Sequence, residues 1–210
     1  MAITYVGSTT ARDTTSVSMI SGVQSGDVII SLYTNAVGVA SDRVPTGFSQ
    51  IFGDSNGCRV TVGYELISGT PDSTIDGLVN STNACYIFAA FRSVDTTTPQ
   101  DATATTATGT GSMPNPPSIT TVTNNAWVIA LGGIDAGTTG SAQSGYTLVS
   151  SYQSSGANAT AMMSYKEVTS AGAEDPAVFG GAGSDDWVAG SVALRPIVST
   201  NNNGFFALAR

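Results

Sequence analysis

Histidine is absent from the 210 residues, and with it go the commonest general base, the usual metal ligand and every Ser-His or Cys-His nucleophile pair. Lysine occurs once, at Lys166, which leaves almost no scope for Schiff-base chemistry or a phosphate-binding P-loop. Charged residues are only 10% of the chain, well under the roughly one quarter usual in soluble domains. The arginines (Arg12, Arg43, Arg59, Arg92, Arg195 and Arg210) are scattered, and 15 acidic residues against 7 basic ones give a net charge of −8. Such a surface repels nucleic acid and anionic lipid. No apolar run approaches the roughly 18 residues needed to span a membrane, so neither nucleic acid nor membrane is expected as a partner. Met1–Val6 lacks the basic and apolar regions of a signal peptide, so export is not expected either. The only cysteines, Cys58 and Cys85, read as small buried hydrophobes, since a disulfide needs a proximity that spacing does not show.

Small polar residues fill the gap left by charge. There are 28 threonines, 26 serines and 24 glycines, a mixture suited to pleated, half-exposed strands joined by many turns. The expected class is all-β, and no amphipathic stretch longer than a turn or two argues for a helix.

Four blocks recur in the same order. Gly26–Leu32 matches Asn125–Leu131, Thr46–Ile51 matches Ser144–Val149, Val62–Ile67 matches Met163–Val168, and Ala89–Val94 matches Val192–Ile197. The offset drifts only from 98 to 103 residues, and each block has the β-branched and aromatic content of a strand. One such unit leaves open edges and buries little, whereas two packed face to face share a core. The sequence thus predicts a jelly-roll-like antiparallel β-sandwich of two tandem repeats, about 17–94 and 118–197, in one domain spanning 1–198. Residues 95–117 are a Thr-rich linker or crossover strand, and two separate domains are the alternative. If the blocks are equivalent, Tyr64 should lie over Tyr165 and Arg92 over Arg195.

The chemical motifs have simpler structural readings. Gly53-Asp54-Ser55-Asn56-Gly57 fits the G-x-S-x-G nucleophile elbow, but no histidine can serve it and a strand follows, so it reads as a hairpin turn. Most acids stand beside Gly, Ser, Thr or Pro, as turn-capping aspartates do, and no motif pairs two of them for glycosidase chemistry. Glu174-Asp175 and Asp185-Asp186 flank Gly180-Gly181-Ala182-Gly183. They could offer calcium oxygens, yet lack any recognised calcium-loop spacing and read as solvated loop charge. Tyr33, Trp127, Tyr152 and Trp187 lie in apolar runs, as core residues rather than as a sugar-stacking platform. No catalytic, cofactor or metal residue is expected.

The matched residues Gly26-Asp27, Thr46-Gly47-Phe48, Tyr64 and Arg92, then Ser144-Gly145-Tyr146, Tyr165 and Arg195, carry a resemblance. Over roughly residues 17–197 the chain resembles duplicated β units of bacteriophage virion proteins, prophage-encoded tail or capsid accessory proteins and related bacterial surface proteins. The second copy departs from the pattern, with Asn125-Ala126 in place of Gly-Asp. The resemblance implies a non-enzymatic virion structural protein made in the host cytoplasm, a capsid accessory or decoration protein of the cement or knob kind. The alternative it implies is a tail-fibre or receptor-binding module for host-surface glycan. It further implies a homo-oligomer, expected as a trimer, bound to the major capsid protein or another virion protein.

Beyond the last matched block, Ser199–Gly204 is a polar spacer. It leads into Phe205-Phe206-Ala207-Leu208-Ala209-Arg210. An apolar chain end costs solubility unless it docks, so 199–210 reads as an arm. Phe205, Phe206 and Leu208 are its expected contacts with a neighbouring subunit or the capsid shell, the alternative being that the tail folds back over a sheet edge of its own domain.

Overall fold

The structure is a computed structural model that describes residues 1–36 and 42–198. The described residues hold fourteen strands and no helix. In chain order these are β1 (Thr4–Ala11), β2 (Ser16–Ser18), β3 (Val28–Ala36), β4 (Ser49–Asn56), β5 (Cys58–Leu66), β6 (Thr74–Asp76) and β7 (Ala84–Arg92). The second half repeats the series as β8 (Gln100–Ser112), β9 (Ile119–Thr120), β10 (Ala126–Ile134), β11 (Thr147–Gln153), β12 (Thr160–Val168), β13 (Ala173–Glu174) and β14 (Asp185–Leu194). Residues 95–117, open in the sequence between linker and strand, thus carry the long strand β8.

Each repeat makes one whole five-stranded antiparallel sheet, in the order β1-β7-β3-β5-β4 and β8-β14-β10-β12-β11. The correspondence is strand for strand, and each copy adds a two-stranded ribbon, β2-β6 in one and β9-β13 in the other. The unit therefore begins earlier than the matched blocks, at β1 and β8. Register agrees as well as order. Ile30 pairs with Tyr64 as Ile129 pairs with Tyr165, and Val28 pairs with Phe91 as Trp127 pairs with Leu194. That superposes Tyr64 on Tyr165 and places Arg92 and Arg195 at the same strand end.

Some irregularities coincide as well, although β8 carries two further shifts against β14 that β1 lacks. A bulge falls at Ile51 in β4 and at Val149 in β11, and another at Val6 in β1 and Asp101 in β8. A bulge twists an edge strand and discourages pairing with other chains, and all four of these lie on edge strands. The turn before the central strand also corresponds. Gly26 has φ 89° and Asn125, in its place, has φ 61°. Asparagine is among the few residues that tolerate this left-handed region, so the departure from Gly-Asp keeps the turn.

The two sheets pack face to face around one core. Val28, Ile30 and Leu32 of β3 share it with Ile129 and Leu131 of β10, Met163 of β12 and Val192 of β14, all fully buried. Every residue of β3 is buried because the sheet's outer face is covered too. Ile75 of β6, with Ile20, Phe48 and Leu78, closes over Ile29, Tyr33, Tyr86 and Phe88. On the second sheet Met113 and Phe179 cover Ala130, Ile134 and Ala189.

Candidate functional site

The equivalent arginines each stand beside a buried carboxylate. Arg92, at the end of β7, donates from Nε to Asp27 Oδ1 and from Nη2 to Asp27 Oδ2, each at 2.8 Å. Asp27 is 1% exposed and also accepts the Gln24 amide at 2.9 Å, while Arg92 reaches the Gly22 carbonyl at 2.8 Å. A bidentate guanidinium–carboxylate pair thereby fixes the turn that enters β3. In the second repeat Ala126 stands where Asp27 would be, and the carboxylate comes from the bulge of β8. Asp101 accepts the amides of Val122 and Thr123 at 2.7 and 3.1 Å and lies 3.4 Å from Arg195 Nε. The same turn is held here by a carboxylate from another strand. The equivalent arginine lies beside it as a looser ion pair in which, among the described residues, neither Asp101 Oδ1 nor Arg195 Nε is hydrogen-bonded. Both latches position loops, and neither presents a reactive atom to a cavity.

The remaining charged contacts are local. Lys166 bonds both Glu174 oxygens at 2.8 and 2.9 Å, and Tyr146 donates to Glu174 Oε1 at 3.1 Å. Burial first, and then the Glu174 charge, push the Tyr146 phenol above its ordinary pKa. Asp42 takes Arg59, Gln50 and Thr61 as donors. Burial works to raise its carboxyl, but those hydrogen bonds and the Arg59 charge outweigh it and hold the group below the usual carboxylate range. Burial, with the charges of Asp185 and Asp186, pushes the Asp135 carboxyl up.

The two acidic pairs of the second repeat do not meet. Glu174 is held at Lys166, which lies level with Ala193 across β10. Asp185 is eight residues back along β14 from Ala193, about 26 Å at strand rise. No group of three potential metal ligands exists among the described residues. Gly57 turns the hairpin between β4 and β5 with φ 65°, and Asn56 pairs with Cys58 across it, so Ser55 sits on a hairpin rather than a strand-to-helix elbow.

The four aromatic candidates are dispersed. Tyr33 is buried in the outer core of the first sheet, Trp187 in that of the second, and Tyr152 stacks under Arg12. Trp127 lies between the sheets, stacked on Tyr165 at 4.8 Å, with Tyr5 on the far side of Tyr165 at 5.3 Å. Both cysteines are unbonded and buried, and burial pushes each thiol up to about 12. Cys58 and Cys85 pair with Ala36 and Thr34 on opposite sides of β3. Two strand spacings, roughly 10 Å, exceed the reach of a disulfide.

One open cleft of about 630 Å³ lies where the N-terminus meets residues 196–198. The Met1 ammonium donates to the Ile197 carbonyl at 2.8 Å, and Met1, Val122, Asn124, Asn125, Glu167 and Val198 are among the cleft's walls. Sequence reasoning missed it because its residues come from the N-terminus, the turn before β10, β12 and the stretch after β14, joined only by the fold. The buried carboxylates were missed for a related reason, each being read as one more turn-capping aspartate. The recurring Arg at the strand end was the available signal. The expected arm contacts Phe205, Phe206 and Leu208 lie outside the described residues.

The class defined by this fold is an all-β antiparallel sandwich of two repeats. No protein-family model, curated protein or solved structure matches the chain.

Proposed function

We propose that the chain is a non-enzymatic structural protein of a bacteriophage virion, a decoration protein on the capsid that works as a homotrimer bound to the major capsid protein. The observation that carries this reading is how the residues behind the virion resemblance are used. Gly26 and Gly47 make left-handed turns, Asp27 and Arg92 form a latch, and Tyr64 and Tyr165 pack on the inter-sheet core. The repeated motif is thus a recipe for a rigid two-sheet block, which suits a particle exterior. The weakly charged, threonine-rich composition suits the same place.

Antibody labelling of particles purified from cells that carry the gene, viewed by negative-stain microscopy, tests it. Label spread regularly over the capsid is the expected result. Label confined to tail tips would replace the capsid role with receptor binding, and unlabelled particles would refute a virion role altogether.

A further inference from the structure

The two repeats leave their sheets in the same way, and their exits meet. After β7 the chain runs through Ser93, Val94 and Asp95, and after β14 through Pro196, Ile197 and Val198. Val94 and Pro196 form an antiparallel bridge. Asp95 donates its amide to the Arg195 carbonyl at 2.8 Å, and Ile197 donates its amide to the Ser93 carbonyl at 3.0 Å. The entries into the two edge strands are equivalent as well. Tyr5 pairs with Phe91 as Gln100 pairs with Leu194. Thr4 lies opposite Arg92, and the Pro99 carbonyl accepts the Arg195 amide at 2.9 Å. Counting back from Thr4 and Pro99 sets Met1 in the place of Thr96, and counting forward from Arg92 and Arg195 sets Val198 in the place of Asp95. The Asp95–Thr96 peptide bond thus has an unbonded counterpart between Val198 and Met1. There the Met1 ammonium donates to the Ile197 carbonyl at 2.8 Å.

We propose that the two repeats are interchangeable partners joined at one of two equivalent places, so that the joint can be moved. A chain cut between Asp95 and Thr96 and closed through its ends folds into the same sandwich. The sheets are held by their inner faces, where Ile30 and Leu32 share a core with Ile129 and Leu131, and the exits are paired by their own hydrogen bonds. The peptide bond between the repeats adds only the entropy of keeping them on one chain, a term that changes slowly with loop length. Asp95 does cap the amides of Thr97 and Thr98 at 2.8 and 3.1 Å. At the other joint Val198 stands in its place and has no side chain to cap with, yet Ile3, the counterpart of Thr98, is 2% exposed. Entry into the edge strand therefore needs neither the cap nor the bond. The proposal concerns the two repeats alone and does not rest on a virion role.

Two permuted chains test it, each keeping all 210 residues with Arg210 joined to Met1. One begins at Thr96 and ends at Asp95. The other begins at Thr70 and ends at Gly69, in the exposed turn after β5, an opening with no counterpart at the chain ends. Because the join is the same in both, its own effect cancels. Far-UV circular dichroism and thermal melting are read on both and on the parent chain. The Thr96 chain should give the parent spectrum and melt at least about 5 °C above the Thr70 chain. In a second measurement, the parent chain carries a protease site inserted between Asp95 and Thr96. Once cleaved, it should elute as a single species without denaturant and separate into two in urea. A Thr96 chain that does not fold, or that melts no higher than the Thr70 chain, would overturn the proposal. Cleaved halves that part without denaturant would overturn it equally.

Discussion

The two repeats both keep an apolar face toward each other, with three identical residues on it, and differ most in what fills the face turned away. At equivalent inner positions Ile30 and Ile129, Leu32 and Leu131, and Tyr64 and Tyr165 are the same residue, and all pack on the shared core. On the outer faces Tyr33 is answered by Gly132, Tyr86 by Ala189 and Phe88 by Ser191. The first sheet fills its outer layer with its own aromatics. The second leaves room for its loops, so a Cβ on Gly132 would come 2.7 Å from Pro114 and 3.2 Å from Phe179. A duplicated unit that packs on its own copy has to keep a self-complementary face. The other face answers only to local loops and is free to change, as are the carboxylates that serve the paired arginines.

The largest expected contrast is between Phe88 and its counterpart. Phe88→Ala removes a fully buried ring and should cost about 3–5 kcal/mol in urea denaturation. Ser191→Ala removes only a hydroxyl bonded to the Pro117 carbonyl at 2.6 Å and should cost about 1 kcal/mol. Equal losses would mean the outer layers are not built differently.

The latches come next. Asp27→Asn breaks two 2.8 Å guanidinium bonds and should cost on the order of 2 kcal/mol, kept modest because the guanidinium side can be taken over by water. Asp101→Asn, facing Arg195 at 3.4 Å, should cost about half as much. If Arg195 truly replaces Arg92, Ala126→Asp should restore stability to the Asp101→Asn chain, and no recovery would break the equivalence.

The smallest effect is electrostatic and changes with pH. Asp135 has its folded-state pKa raised by burial and by Asp185 and Asp186. Its protonated form is therefore the favoured one in the fold. Stability from this group is fully present below about pH 3.9, the unfolded value, and is lost as pH rises through the folded value. Asp135→Asn should raise the melting temperature slightly at pH 7 and leave it unchanged near pH 3. Asp42 has the opposite sign, its lowered pKa giving stability above the unfolded value that is lost as pH falls through the folded one. Asp42→Asn should thus destabilise at pH 7 and converge on the parent chain in acid.

The all-β class and the tandem repeat were legible because strand period and turn residues are local signals, and the inner face kept its apolar character. Gly47 and Gly145 mark the same left-handed turn in both copies, so that block matched directly. β1 escaped notice, and β8 stood only as one of two alternatives, because Thr4–Ala11 and Gln100–Ser112 are edge strands whose residues share no pattern. Asp101 could not be read as a latch, since its partner Arg195 lies 94 positions away. The cleft was equally hidden, being made where the N-terminus, the turn before β10 and the stretch after β14 converge.

Differential scanning calorimetry of the whole chain tests most directly whether two copies of one unit share one core. A single transition is predicted, with calorimetric and van't Hoff enthalpies equal, and Ile30→Ala and Ile129→Ala should each shift that whole transition downward by a similar amount. Two transitions, or a substitution in one sheet that moves only part of the heat absorption, would contradict it.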